Sequence, residues 1–102
     1  MPTRDVYVQA KLTDVDGNPL SGKPVYLYYR PSGETTWYDI GTNPHTTDAN
    51  GIASDTITLS VPGTYDFRAE FPGDDQYEAS SAELTNQTIK AGTKITLTVT
   101  PL

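Results

Sequence analysis

Three stretches of this chain alternate apolar and polar residues with a period of two. Val6, Val8, Ala10 and Leu12 alternate with Tyr7, Gln9 and Lys11. Tyr65, Phe67, Ala69 and Phe71 alternate with Asp66, Arg68 and Glu70. Ile95, Leu97 and Val99 alternate with Lys94, Thr96, Thr98 and Thr100. Successive side chains of a strand point to opposite faces, so each stretch predicts a strand with one buried and one wet side. The second is the cleanest and is expected to lie centrally in its sheet.

Shorter runs fill the intervals. Val25, Leu27 and Tyr29 alternate with Tyr26, Tyr28 and Arg30, which predicts a strand over 24–30 opened by Pro24, where a missing donor is tolerated. Residues 36–41 carry Trp37, Tyr38 and Ile40, and 51–60 carry Ile52, Ile57 and Leu59. Ile52 is out of phase with the other two, so a bulge is expected near 53–55. Residues 42–50 are polar and irregular, and 77–90 form a longer polar segment. Turn residues separate these runs: 14–22, 31–34, Val61-Pro62-Gly63, Pro72-Gly73-Asp74-Asp75 and Ala91-Gly92. No apolar spacing of helical period is sustained. Short strands with turn signals every ten or so residues predict an all-β sandwich or barrel.

A length of 102 residues is that of one domain. There is no cysteine, so the core carries stability without a disulfide. The net charge of −6, with seven scattered Lys and Arg, argues against nucleic acid, which needs clustered cations. No apolar run approaches the ~20 residues of a helical membrane span, so no membrane insertion is expected. Met1-Pro2-Thr3-Arg4 leads into no apolar h-region, which predicts no signal peptide.

Three segments resemble the tandem immunoglobulin-like repeats of bacterial and archaeal surface and adhesin-like proteins. They are residues 12–27, residues 47–51 (Thr-Asp-Ala-Asn-Gly), and residues 62–80 with their Phe-Pro-Gly-Asp-Asp-x-Tyr turn. The first two are also similar to prealbumin-like regulatory domains of surface proteins. The resemblance implies an immunoglobulin-like β-sandwich of about seven antiparallel strands in two sheets. It implies an extracellular, cell-surface role in display, adhesion or spacing, with neighbouring repeats as partners and no catalytic residues. Such a chain would be a piece of a longer protein and a monomer by itself. The expected division is one domain over 1–92. Residues 93–102 are then either the first strand of a following repeat or a strand that fills a missing first position.

Gly63-x-Tyr65-x-Phe67 has the pattern of a tyrosine corner, in which a Tyr hydroxyl bonds back to the backbone of the preceding turn. Phe67 stands where antibody domains place a cysteine, and an aromatic there would fill the core.

Candidate chemistry is sparse. Asp14, Asp16, Asp48, Asn50, Asp74 and Asp75 lie in loops expected at one pole, a donor set suited to calcium. The same residues are what tight turns select, and no other cofactor is indicated. Tyr26, Tyr28, Tyr29, Trp37 and Tyr38 crowd two adjacent predicted strands, and alternation cannot bury all five. Exposed rings stack on sugars and anchor protein interfaces, so a glycan or protein ligand is one expectation and cross-strand pairing the other. His45 is the only histidine and no serine has a nucleophile-elbow context, so no enzymatic activity is expected. Asn86-Gln87-Thr88 matches the N-glycosylation acceptor pattern.

Overall fold

The computed structural model describes residues 3–60, 63–89 and 94–101. Its strands are β1 (Thr3–Leu12), β2 (Pro24–Pro31), β3 (Tyr38–Asp39), β4 (His45–Thr46), β5 (Ile52–Ser60), β6 (Gly63–Phe71), β7 (Ser80–Ile89) and β8 (Lys94–Val99). One sheet has the order β5-β1-β8. The other has the order β3-β2-β6-β7, with β4 also paired to β2. The two sheets face each other across a single apolar layer, which makes the fold an immunoglobulin-like β-sandwich.

The alternating residues supply that layer. Val6, Val8, Ala10 and Leu12 of β1, Val25 and Leu27 of β2, Phe67, Ala69 and Phe71 of β6, and Ile95, Leu97 and Val99 of β8 are all buried. Ile40 and Ile89 join them. Burying each Val, Leu, Ile or Phe of this set contributes about 1.5–3 kcal/mol. Phe67 and Phe71 are the largest fully buried side chains, and β6 lies between β2 and β7.

The register defines two poles. Thr3 pairs with Ser60 at one, and Lys11 pairs with Ile52 at the other. At the second pole the backbone is tightly tied: Leu12 N–H donates to Gly51 C=O at 2.7 Å, and Gly22 N–H to Thr47 C=O at 2.9 Å. Gly51 is required there. Its φ is +75°, and a Cβ would stand 2.5 Å from the Leu12 carbonyl oxygen.

Several expectations are corrected. The pairing of β1 with β5 runs without a shift from Thr3 to Lys11, so β5 has no bulge. Ile52 is out of phase because it faces outward. Ala53 and Leu59 are the buried residues, and Asp55 and Ile57 share their phase. A register irregularity lies instead between β6 and β7, at Tyr65/Phe67, where Asn86 has φ 56°. The predicted strand over 36–41 is only Tyr38–Asp39, and Trp37 lies outside it. Part of the segment expected to be irregular forms β4. Not every strand pair is antiparallel: β8 pairs with β1 in parallel, from Tyr7↔Lys94 to Leu12↔Val99. The Ala91-Gly92 break, and Val61-Pro62 of the turn before β6, lie outside the described residues.

Candidate functional site

The acidic loops gather at the pole that holds Leu12 and Gly51, but each carboxylate serves its own turn. Asp14 Oδ1 accepts from the N–H groups of Asp16 and Asn18 at 3.0 and 2.9 Å. These bonds, the one from Asn18 first, hold the Asp14 carboxyl below the usual range. Asp48 Oδ1 accepts from Asn50 and Ile52 N–H at 2.8 and 3.0 Å. Asp74 Oδ1 accepts from Gln76 and Tyr77 N–H, and its Oδ2 takes Lys23 Nζ at 2.6 Å. The Lys23 bond is the main reason the Asp74 carboxyl is lowered. Lys23 Nζ also sits 5.9 Å from the Tyr77 ring centroid. Among the described residues no three His, Cys, Asp or Glu side chains converge as a cation site. Asp16 and Asp75 are exposed beside this network.

The five aromatic residues divide into two groups. Tyr26 and Tyr28 lie on the outer face of β2, nearly parallel, with centroids 6.4 Å apart and 7° between planes. Opposite them in register are Glu70 and Arg68 of β6. Arg68 bridges Glu70 and Glu83, so a charged triad borders the two rings. Partial burial pushes the Tyr28 hydroxyl pKa up, aided by the nearby negative charges of Glu70 and Asp39. An open depression of about 160 Å³ shares Arg68 and Glu70 with this triad and is otherwise lined by Phe71, Ala79, Ser80 and Ser81.

The second group surrounds the β2–β3 turn. Tyr29 packs on the core and meets Tyr38 at 5.7 Å between centroids, tilted by 37°. Tyr38 is exposed. Trp37 carries the Arg30 guanidinium 4.1 Å from its ring centroid. The same Arg30 donates from Nε to Asp66 Oδ2 at 2.8 Å. The five aromatics therefore do not share one face.

Two polar constellations escape local pattern reading. Asp66, which sits in the polar phase of β6, is buried. It accepts from Arg30, from Ser32 Oγ at 2.8 Å and from the Asn86 backbone N–H at 2.9 Å. The Arg30 bond is the largest cause holding its carboxyl low. Asn86 itself is exposed at the irregularity of β7. His45 of β4 reaches across to Asp55 of β5, Nε2 to Oδ2, at 2.9 Å. Its Nδ1 lies 3.0 Å from Asn43 Oδ1. The Asn43 side chain bonds both the N–H and the C=O of Leu27, at 2.9 and 3.0 Å. This chain of contacts links an edge of one sheet to an edge of the other. The one local signal for it is that Asp55, a charged residue, stands in the phase of the buried Ala53 and Leu59.

No protein-family model matches the chain. The chain is 33% identical over 89 residues to the inverse autotransporter adhesin YeeJ of Escherichia coli K12, covering 83% of this chain and 4% of that protein. A structure of the streptococcal ancillary pilin matches 96% of this chain and 33% of its own, at 22% identity and a TM-score of 0.47. The fold class stands on the two-sheet arrangement itself. By fold the chain is a β-sandwich domain, and by sequence it is similar to a short part of a far longer adhesin.

Proposed function

We propose that this chain is a non-catalytic structural or adhesion module of a cell-surface protein, set end to end with neighbouring domains. The observation that carries this reading is where the chain enters and leaves. β1 begins at the Thr3–Ser60 pole, and β8 ends beside Leu12 at the opposite pole. The molecule is elongated, with extents of 45 × 26 × 23 Å. Successive modules with this path add length instead of folding back. The likeness to a stretch of an adhesin supports the same reading and the extracellular location. Small-angle scattering of two copies joined in tandem tests it. The maximum dimension is expected to exceed that of one copy by roughly the 45 Å module length. A tandem that folds back onto itself rejects the reading.

A second reading is a binding face for glycan or protein. The parallel Tyr26 and Tyr28 rings beside Arg68 favour it, because stacked aromatics flanked by charge suit sugar rings and interface anchors. Tyr26→Ala with Tyr28→Ala abolishing binding to a glycan panel or to cells supports this reading. Unchanged binding removes it.

A further inference from the structure

We propose that Asn86 is an acceptor for an N-linked glycan, turned to solvent by a bulge in the edge strand β7. The biological use of such a site rests on the extracellular reading, and its chemistry does not.

Asn86-Gln87-Thr88 is the one N-glycosylation triplet in the sequence. In an uninterrupted strand it would face the wrong way. Ala82 and Leu84 of β7 pack against the core, and period-two alternation carries that inward phase on to residues 86 and 88. The register breaks there instead. Tyr65 pairs with Gln87 and Phe67 with Leu84, so Asp66 alone stands opposite both Thr85 and Asn86. One extra residue turns the chain after it to the other face. Gln87 and Ile89 take over the inward phase, and Asn86 and Thr88 are both exposed.

Buried polar contacts hold the bulge. Asn86 has φ 56°, and its N–H donates to Asp66 Oδ1 at 2.9 Å. Asp66 is fixed in turn by Arg30 Nε and Ser32 Oγ. Gln87 Nε2 donates back across the bulge to the Thr85 carbonyl at 2.9 Å. These bonds use the backbone of Asn86 and leave its side chain alone. Among the described residues no hydrogen bond engages the Asn86 amide group or the Thr88 hydroxyl. A positive φ by itself selects Gly or Asn. It does not account for a threonine two residues on, turned to the same solvent.

The position suits a bulky group. β7 ends the order β3-β2-β6-β7, so among the described residues no strand flanks its far side. Its ten residues carry a single charge, Glu83. Edge strands are protected from pairing with other chains by charge, proline, a bulge or a cover. A glycan at Asn86 adds a cover to the bulge.

The reaction is glycosyl transfer from a lipid-linked sugar phosphate or pyrophosphate. Asn86 Nδ2 forms a bond to C1 of the first sugar, and the C1–O bond to the phosphate breaks. The lipid phosphate leaves with that electron pair, and Nδ2 gives up one proton to a base of the transferase. No oxidant or reductant is involved.

The test is the intact mass of the whole chain after export from a host that N-glycosylates such triplets. The chain carries a C-terminal tag with a second Asn-x-Thr triplet that the host is known to modify. Because the host supplies export, the result does not depend on where the parent protein resides. We expect two glycans per chain, and only the tag's glycan in Asn86→Gln and in Thr88→Val. Asn86→Gly is also expected to keep only the tag's glycan, while its urea unfolding stays close to that of the parent chain, since glycine meets the positive φ. A parent chain modified on the tag alone overturns the proposal. So does a second glycan that persists in Thr88→Val or Asn86→Gly.

Discussion

The hydroxyl of Tyr65 donates a 2.9 Å hydrogen bond to the backbone carbonyl of Ser60, five residues upstream. It spans the connection from β5 to β6 and so ties the two sheets together at one pole. Tyr65→Phe keeps the ring and removes this bond. We expect a loss of about 1 kcal/mol, read by urea unfolding, as for a typical intramolecular hydrogen bond. Gly63 belongs to the same arrangement. A Cβ there would lie 2.8 Å from Tyr65 Cε2 and 2.9 Å from the Ser60 carbonyl oxygen. Gly63→Ala is therefore expected to displace the ring and cost at least as much as Tyr65→Phe.

Asp66 is expected to contribute to acid stability. It is buried and holds three donors, so its carboxyl pKa lies below that of the unfolded chain, mainly through Arg30. Its contribution is complete above the ordinary Asp range and disappears as pH falls through the depressed folded value. Asp66→Asn should cost about 2–3 kcal/mol at neutral pH, because Arg30 loses its charged partner. The variant should also flatten the acid limb of a stability-against-pH curve. An acid limb identical to that of the parent chain would contradict this role.

The His45–Asp55 contact links the sheet edges at a half-exposed position, so its strength is modest. The His45 hydrogen bond is the largest cause lowering the Asp55 carboxyl. The stabilisation is present above the ordinary Asp range and lost as pH falls through the lowered value. With Asp55 38% exposed, Asp55→Asn should cost only about 0.5 kcal/mol after screening. Gly41→Ala should cost more, about 1–2 kcal/mol. Gly41 has φ +65°, and a Cβ there would fall 1.9 Å from Asp55 Oδ2. Thermal melts of the two variants give the order.

Leu97 and its neighbours test whether residues 93–102 belong with the rest. Leu97→Ala is expected to cost about 2–4 kcal/mol as a buried large-to-small change. A chain ending at residue 92 should lose on the order of 5 kcal/mol from the unburied Ile95, Leu97 and Val99. It should also associate through the bared edge of β1. A truncated chain that stays monomeric and as stable as the full one would assign the segment elsewhere.

Calcium should leave the melting temperature unchanged relative to a chelator. The Asp14, Asp48 and Asp74 carboxylates already accept backbone N–H groups of their own turns. A rise in melting temperature with calcium would show that these turns reorganise around the ion.

Much of this architecture is legible along the chain. The alternation in β1, β6 and β8 marks the buried rows directly, because side-chain direction in a strand depends only on the residue's own position. The turn residues mark where strands stop for the same local reason. Asp55 and Ile52 show where local reading fails. An Asp in a core phase reads as an interruption until its partner is known, and that partner is His45 on another strand. Asp66 reads as a wet residue until Arg30, Ser32 and Asn86 close over it.

What the amino-acid order determined by itself was the buried rows of β1, β6 and β8 and the all-β class, since each follows from period-two alternation and turn chemistry. What only the tertiary structure decided was partnership: β8 beside β1, in parallel, and the division of five aromatics into an outer pair and a turn cluster. Alternation states which side of a strand is apolar and is silent about which strand lies next to it. Neighbours are chosen by the packing of the whole core, where the rows of β1 and β8 fit the same apolar layer from positions some ninety residues apart in the chain.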